Sequence, residues 1–171
     1  PNGAGKSTFI NILAGLVNKT SGEVKVFDLD LDKDPKTIRG NLGVVPQEIN
    51  IDPFFTPIEL LELQAGLYGV RKKDRKSEEI LKKVGLLDQK NAYARTLSGG
   101  MRRRLLVAKS LVHNPDVVIL DEPTAGVSPI VMDELFDHIL KVKKTNVAII
   151  MVEQNAKQAL SIADRGYVLV T

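Results

Sequence analysis

The feature that most constrains the fold of this chain is the alternation of short apolar runs with longer segments of helical periodicity. Runs of strand length cover 23–27, 42–45 and 117–120, and two more begin at Val147 and Tyr167. Strands that alternate with helices in this way typically form a parallel sheet whose faces are covered by the helices. The sequence therefore predicts one α/β domain of 171 residues, with a largely parallel sheet core flanked by helices.

Periodicity and capping residues predict the helices between these strands. Thr56 to Glu59 combine a capping hydroxyl, a proline at the first helical position and an acid three residues after the cap. Glu78 and Glu79 are spaced to pair with Lys82 and Lys83. The predicted helices cover 6–16, 57–68 and 73–84, extend from Gly100 to about Val112, and begin again at Pro129 and Asn155. Residues 54–111 are predicted to form a helical lobe, and 1–53 with 112–171 the sheet-bearing core.

Composition and charge exclude several other classes of protein. No apolar run approaches the roughly 20 residues that a membrane-spanning helix needs, so the chain is not expected to lie within a membrane. The net charge of +3 is mildly basic, but Lys and Arg are interleaved with Asp and Glu, which does not suggest direct binding of nucleic acid. The absence of cysteine excludes disulfides and thiolate metal sites.

The first residues of the chain match the phosphate-binding pattern G-x-x-x-x-G-K-[ST] from its second position onward. Glycines let consecutive backbone N–H groups point at one anion, and the following helix directs the positive end of its dipole at the same place. Lys6 would add charge near the β and γ phosphates, and Ser7 would offer its hydroxyl to Mg²⁺. For this incomplete motif alone, the alternative is a glycine-rich turn that binds no ligand. The candidate nucleotide-binding residues are Asn2, Gly3, Ala4, Gly5, Lys6, Ser7 and Thr8.

A second motif places two carboxylates at the end of an apolar strand. Asp121 and Glu122 follow the apolar run at 117–120, and α/β folds place ligand sites at the C-terminal ends of their strands. Asp121 would hold Mg²⁺ through water, whereas Glu122 would orient and deprotonate the water that attacks the γ phosphate. The alternative for this motif alone is a strand that ends in a solvated acidic turn.

A third motif, Leu97-Ser98-Gly99-Gly100, is the one that identifies a family. Together with Asp121-Glu122-Pro123-Thr124, and in the same order and spacing from Lys6, it resembles the signature and Walker B motifs of ATP-binding-cassette (ABC) transporter ATPases over essentially the whole chain. Ser98 and the N–H groups of Gly99 and Gly100 can form another anion-binding nest at a helix start. The resemblance implies a P-loop NTPase fold with a helical signature subdomain. It also implies that this nest contacts the ATP bound by a second subunit.

Two glutamines complete the catalytic residues that the resemblance implies. Gln47 follows the strand at 42–45 and corresponds to the family's Q-loop, where its amide would contact both Mg²⁺ and the attacking water. Gln154 falls where most of the family has its switch histidine. An amide can hydrogen-bond a phosphate but cannot exchange a proton near neutral pH, so Glu122 is expected to carry more of the catalysis.

The other basic residues near these motifs are expected to have no catalytic role. Arg102, Arg103 and Arg104 follow the signature motif and are predicted to lie on a solvated helix face. His113 and His138 are predicted to be surface or helix-end residues.

The resemblance also implies a function and its partners. It describes a cytoplasmic ATPase subunit that hydrolyses ATP with Mg²⁺ to power solute transport, with Ser7, Gln47 and Asp121 as the residues near the metal. It implies a head-to-tail dimer with a second ABC ATPase domain. Transmembrane permease subunits would hold that dimer against the inner face of the membrane.

The sequence argues against several other functions of related ATPases and leaves one further alternative open. Relatives in DNA repair or chromosome organisation insert a long coiled coil between the first and third motifs, whereas only about ninety residues separate Lys6 from Ser98 here. Ribosome-acting relatives usually carry two cassettes. A nucleotide-binding regulatory module without turnover is supported only by Gln154.

The sequence does not predict the transported solute or the direction of transport. Residues 43–103 resemble the ATPases of drug or polysaccharide exporters, whereas 126–166 resemble those of branched-chain amino acid importers. The chain also starts inside the phosphate-binding motif and stops in a strand-like run. It is therefore expected to be an internal fragment with weak ATP affinity on its own.

Overall fold

The structure of the chain is built on a three-stranded parallel sheet. The computed structural model describes residues 5–168. Within this range the strands are β1 (Lys25–Val26), β2 (Leu29–Asp30), β3 (Leu42–Val45), β4 (Val117–Asp121) and β5 (Ala148–Val152). β1 and β2 form an antiparallel hairpin, whereas the other three pair in parallel in the order β3-β4-β5. The predicted α/β fold with a parallel sheet is confirmed.

Helices pack on the sheet and on one another. In the described range they are α1 (Lys6–Leu13), α2 (Pro35–Gly40), α3 (Pro57–Leu67), α4 (Ser77–Lys83), α5 (Gly99–Ser110), α6 (Pro129–Lys143) and α7 (Ala156–Ile162). Helices α3, α4 and α5 contact each other, and α5 also packs on β3. The division of the chain into lobes at 54 and 111 stays a prediction. None of the helices in 5–168 has the length and apolarity that crossing a membrane requires.

The start of α3 follows from its capping sequence. The backbone N–H of Thr56 donates to Glu59 Oε2 at 2.8 Å, and the Thr56 hydroxyl accepts the backbone N–H of Glu59 at 3.3 Å. This reciprocal pair satisfies two backbone donors that the first turn of a helix would otherwise leave without partners. Pro57 occupies the first helical position, where its missing N–H costs nothing.

Two of the predicted helices differ from the observed ones, and one observed helix was not predicted. α1 ends at Leu13 and not at 16, because Gly15 adopts a left-handed conformation (φ 73°) that ends helices. The helix predicted at 73–84 is divided into a 3₁₀ turn at Lys72–Asp74 and α4. Helix α2 was missed, since its six residues are too few to show a periodic pattern.

The predicted ion pairs of α4 form only in part. Glu79 and Lys83 pair at 2.8 Å as predicted from their four-residue spacing. Glu78 instead pairs with Lys90 at 2.6 Å, because the chain beyond α4 folds back toward the start of this helix.

Two predicted strands also differ. The strand predicted at 23–27 is reduced to β1, because Phe27 and Asp28 have positive φ angles of 54° and 61° and form the tight turn to β2. Tyr167 and Val168 do not belong to a strand, and the rest of the strand predicted from Tyr167 lies outside the described residues.

Side chains of β4 alternate between two buried clusters. Val118 and Leu120 join the larger cluster with residues of α3 to α6, whereas Ile119 joins a second cluster with α1 and α2. Successive residues of a strand point to opposite faces of its sheet, so this strand buries both faces. The polar residues of β4 are consequently confined to its C-terminal end.

Gly43 allows α5 to approach the sheet closely. A Cβ atom on this residue of β3 would lie 2.3 Å from the backbone carbonyl oxygen of Ser110 in α5. Only glycine fits such an approach without a shift of the helix. The position of α5 relative to the strand that precedes Gln47 therefore depends on this contact.

Candidate active site

Glu122 is the residue on which the candidate site is centred. It follows β4 directly and is buried, with 8% of its surface exposed. Its φ angle of 44° lies in the left-handed region, which is costly for a residue with a side chain and persists only where the surroundings enforce it. Its N–H donates to the Val152 carbonyl at 2.9 Å, and its own carbonyl accepts the Ala125 N–H at 3.0 Å. These two backbone bonds hold the chain in the unusual conformation.

Two glutamines converge on the carboxylate of Glu122. Gln154 Nε2 lies 2.9 Å from each of the two carboxylate oxygens, and Gln47 Nε2 lies 3.0 Å from Oε2. The three residues follow three adjacent parallel strands, which bring their C-terminal ends to one edge of the sheet. The structure therefore brings together the three residues that the sequence predicted to be catalytic.

Asp121 presents a buried carboxylate oxygen next to this cluster. The residue is 5% exposed, and within 5–168 its Oδ1 atom has no hydrogen-bond partner. A buried polar atom without a partner requires an explanation, such as a cation or an ordered water molecule. Asp121 lines a cavity of about 600 Å³ together with Ser7 and Gln47, so the three residues predicted near the metal share one space.

These residues fit Mg²⁺ better than they fit a metal ion whose ligands are all protein side chains. The described part of the chain has no cluster of three or more His, Cys, Asp or Glu side chains that could enclose an ion. Mg²⁺ typically uses one or two protein oxygens and completes its shell with water and substrate phosphates. The buried Asp121 oxygen and the Ser7 hydroxyl match that mode of binding.

The first helix begins at the residues predicted to bind phosphate. Gly5 precedes α1 with a φ angle of 76°, and no side chain caps the helix. The N–H groups of the first helical turn are therefore not satisfied by a capping side chain. Lys6, Ser7 and Thr8 form that first turn, and Ser7 reaches the cavity that Asp121 lines. The predicted residues Asn2, Gly3 and Ala4 lie outside the described residues.

The helix start at Ser98 has a different environment. Ser98 caps α5 by accepting the N–H of Met101 at 3.2 Å, and both Ser98 and Gly99 are exposed. A Cβ atom on Gly99 would meet nothing within 4 Å, whereas one on Gly100 would lie 2.5 Å from Val131 Cγ1. None of these residues lines the cavity that contains Ser7 and Asp121. The structure thus keeps the signature residues apart from the other predicted site residues.

Glu153 is a site residue that the sequence analysis missed. Its Oε1 atom accepts the backbone N–H of Thr124 at 2.8 Å and the hydroxyl of Thr124 at 2.6 Å. Its Oε2 atom accepts the N–H of Gln154 at 3.1 Å. Glu153 therefore connects the loop after Glu122 to Gln154, the residue whose side chain donates to the Glu122 carboxylate. The available signal was an acid at the end of a strand, directly before Gln154.

The prediction for the three arginines is wrong. Arg103 is only 5% exposed, and Arg102 and Arg104 are half-buried, because α5 is surrounded by α3, α4, α6 and β3. Arg103 donates from Nη1 to the Gln47 carbonyl and from Nη2 to the Ala125 carbonyl, the latter at 2.9 Å. Burial lowers the pKa of the Arg103 guanidinium, and the negative charge of Glu153 opposes that shift.

The prediction of surface or helix-end positions is wrong for His138, which is half-buried within α6, whereas His113 is half-buried just after the end of α5. His113 stacks on Tyr68 with ring centroids 3.8 Å apart, and its Nε2 lies 3.0 Å from the Leu42 carbonyl oxygen. His138 lies within α6, with Nε2 2.8 Å from Arg104 Nη1. Burial lowers the pKa of both imidazoles, and the charge of Arg104 lowers that of His138 further.

Solved structures with the same architecture define the class of this protein. The chain superposes on a nucleotide-free ATP-binding cassette from an ABC transporter with a TM-score of 0.80 and 25% sequence identity. The match covers 96% of this chain and 72% of that structure. The parallel sheet flanked by helices is thus that of a P-loop NTPase fold.

The family follows from the sequence comparisons. Residues 1–125 match the family model described as ABC transporter. The chain is 36% identical over 168 residues to the daunorubicin/doxorubicin resistance ATP-binding protein DrrA of Streptomyces peucetius, a match that covers 96% of this chain and 51% of that protein. It is 32% identical over 174 residues to the arginine transport ATP-binding protein ArtM of Bacillus subtilis (strain 168), with 96% and 71% covered. This chain belongs to the ABC transporter family, as an ATP-binding domain.

The chain is shorter than the relatives it matches. It spans about half the length of several of them, 54%, 51% and 51% in three cases.

Proposed function

We propose that this chain binds and hydrolyses ATP with Mg²⁺ as the ATPase unit of an ABC transporter. The observation that carries the proposal is the convergence of Gln47 and Gln154 on the buried carboxylate of Glu122, at the edge of the sheet where Asp121 and Ser7 share a cavity. Family membership supports the same conclusion.

Glu122 is proposed as the general base. Of the three groups in the cluster, only its carboxylate can accept a proton near neutral pH, because amides neither gain nor lose one there. Gln47 and Gln154 fix the orientation of both carboxylate oxygens. A water molecule that replaced one amide contact would lie within reach of Glu122, which meets the geometric requirement for proton abstraction.

The metal ligands are proposed from the cavity. Ser7 and Asp121 would hold Mg²⁺, with the side chain of Gln47 beside it, and when bound the ion neutralises negative charge on the phosphate oxygens. The phosphates themselves would lie at the start of α1, where Gly5 to Thr8 present backbone N–H groups and the Lys6 charge.

A second copy of the ATPase domain is proposed to complete each site. Ser98 and Gly99 are exposed and do not line the cavity of their own chain, which supports binding to a nucleotide held by another chain. We further propose that 54–111 form the lobe that carries this motif.

The other partners are proposed to be transmembrane subunits, which would place the ATPase at the cytoplasmic face of a membrane. A resistance protein and an arginine transport protein match this chain about equally well, so solute recognition is assigned to those subunits. Since the chain spans only part of its relatives, these partners apply to the full-length protein that contains it.

The test is the turnover of Glu122→Gln in that full-length protein. The amide keeps the shape of the carboxylate but cannot accept a proton, so we expect phosphate release to fall by about 100-fold or more with ATP binding retained. Glu134→Gln, on the exposed side of α6, is the matched control and should leave turnover unchanged. Equal turnover in Glu122→Gln and the wild type would remove Glu122 from this role. Tight ATP binding without phosphate release by the wild type would favour a regulatory module.

A further inference from the structure

Arg103 makes contacts that the proposed reaction does not yet use. Its buried guanidinium donates to two backbone carbonyls in two different loops, Gln47 through Nη1 and Ala125 through Nη2 at 2.9 Å. The residue lies on α5, five positions after Ser98. One side chain therefore connects the signature helix with the loop after β3 and the loop after β4.

Both carbonyls belong to residues that are hydrogen-bonded to Glu122. The side chain of Gln47 donates to the Glu122 carboxylate at 3.0 Å, and the N–H of Ala125 donates to the Glu122 carbonyl at 3.0 Å. Within 5–168 no hydrogen bond joins Arg103 to Glu122, but the two residues that Arg103 holds are both hydrogen-bonded to Glu122. A shift of the Arg103 guanidinium would therefore move Glu122 through two contacts, one by way of Gln47 and one by way of Ala125.

The chemistry of this contact is specific to arginine. A planar guanidinium can donate to two acceptors in fixed directions at once, whereas the ammonium of lysine is a point charge on a flexible stem. Burying a cation is costly, and no carboxylate is hydrogen-bonded to Arg103 in the described part of the chain. Its Nε atom is also buried there without a partner. An apolar side chain could fill the space at lower cost, so packing alone does not account for an arginine here.

Glu153 holds the same loop from another side. It accepts both the N–H and the hydroxyl of Thr124, while Arg103 binds the carbonyl of the next residue, Ala125. The opposite charges of Arg103 and Glu153 attract one another across this loop. The backbone just after Glu122 is thus held at Thr124 by the Glu153 carboxylate and at Ala125 by the Arg103 guanidinium.

We propose that Arg103 is a positioning residue that holds the Gln47 loop and the loop after Glu122 in register with the signature helix α5. It acts on hydrolysis through Gln47 and Ala125 and does not itself bind the nucleotide. This inference rests on the proposed ATPase function.

The test compares Arg103→Met with Arg104→Met in the full-length protein. Both variants remove one guanidinium from the same helix, but Arg104 contacts His138 and the Val84 carbonyl and neither of the two loops. We expect Arg103→Met to lower kcat roughly 10- to 100-fold, because small misplacements of catalytic groups have effects of this size. The KM for ATP should change by less than about threefold, and Arg104→Met should keep kcat near the wild-type value.

A second variant covers the case in which Arg103→Met does not fold. Arg103→Lys keeps the positive charge and can still bond one carbonyl, so its kcat should lie between those of the wild type and Arg103→Met. If Arg103→Met does not fold, an Arg103→Lys protein with reduced kcat and unchanged KM supports the proposal, and one with wild-type kcat overturns it.

Other outcomes separate this proposal from the proposed function. If the two Met variants lose the same thermal stability and the same fraction of kcat, Arg103 is merely structural and the positioning role is overturned. A rise in KM without a change in kcat would also overturn it, because that result indicates nucleotide binding. If the wild type binds no ATP and releases no phosphate, the proposed function fails, and the positioning role fails with it. That failure is seen in the wild type itself, whereas failure of the positioning role alone is seen only when the variants are compared with an active wild type.

Discussion

The cluster around Glu122 and the helix start at Ser98 differ in how their polar groups are satisfied. Glu122 is buried and receives two side-chain amides from neighbouring strand ends, and its loop is held by Arg103 and Glu153. Ser98 and Gly99 are exposed, and open space surrounds the position that a Cβ of Gly99 would occupy. The first region is organised by its own chain, whereas the second has room for a group from outside. This difference is what a site shared between two chains requires.

The first prediction tests this comparison with valine substitutions at the adjacent glycines Gly99 and Gly100. Gly99→Val should reduce phosphate release by the full-length protein by about 100-fold or more, because the new side chain fills the space where a nucleotide would approach the N–H groups. Its free energy of unfolding should change by less than about 1 kcal/mol, since the side chain meets nothing in its own chain.

Gly100→Val is the matched variant. Its side chain collides with Val131, so we expect a loss of about 1–3 kcal/mol in the free energy of unfolding. Chemical denaturation measures both values. If Gly99→Val were the more destabilising of the two, the space around Gly99 would not be open, and the contrast between the two regions would be lost.

The predictability of the Glu122 cluster has a simple physical reason. Parallel strands end at one edge of a sheet, so residues that follow β3, β4 and β5 must lie near each other once the strand order is known. Glu122 could be selected from its place at a strand end, and Gln47 and Gln154 from the resemblance to the family, although their roles stay proposals. The cap at Thr56 could likewise be predicted, because capping depends on local sequence.

The features that were missed depend on packing between distant segments. The carbonyls that bind Arg103 come from residues 47 and 125, and a sequence pattern does not show which loops a helix will cover. Arg103 was assigned to a solvated face because charged residues usually lie there. The turn at Phe27 was missed for a local reason, because an aromatic residue rarely adopts a positive φ angle.

The second prediction sharpens the description of the Glu122 cluster. Gln154→His introduces an imidazole beside the carboxylate, and below about pH 6.5 its protonated form would pair with Glu122 and weaken the base. Turnover of the variant should therefore fall several-fold as the pH is lowered from 8 to 6, more than it does for the wild type. Gln158→His, which places the imidazole near Asp133 on α6, is the control. Equal pH profiles for the wild type and Gln154→His would show that residue 154 is not coupled to catalysis.

The third prediction concerns the two half-buried histidines and should give the smallest effect. Burial lowers their folded-state pKa values, so below about pH 6.5 the unfolded chain binds protons more readily than the folded one. The free energy of unfolding should therefore fall as the pH drops through this range and should be nearly flat above pH 7. Denaturation midpoints of the wild type and of a His113→Phe, His138→Gln double variant measure the effect. A wild-type midpoint no more sensitive to pH than that of the double variant would contradict it.

The shared site is tested most directly by mixing two inactive variants of the full-length protein. Lys6→Ala disables the phosphate-binding helix start, and Ser98→Arg disables the signature helix start. In a head-to-tail dimer of one chain of each kind, both defects fall in one site and the other site is intact. We predict that the mixture recovers phosphate release, up to about half of the wild-type rate per mixed dimer, although each variant alone is inactive. If each variant alone is inactive and the mixture shows no recovery while mixed dimers are present, then Lys6 and Ser98 do not act on one nucleotide from two chains.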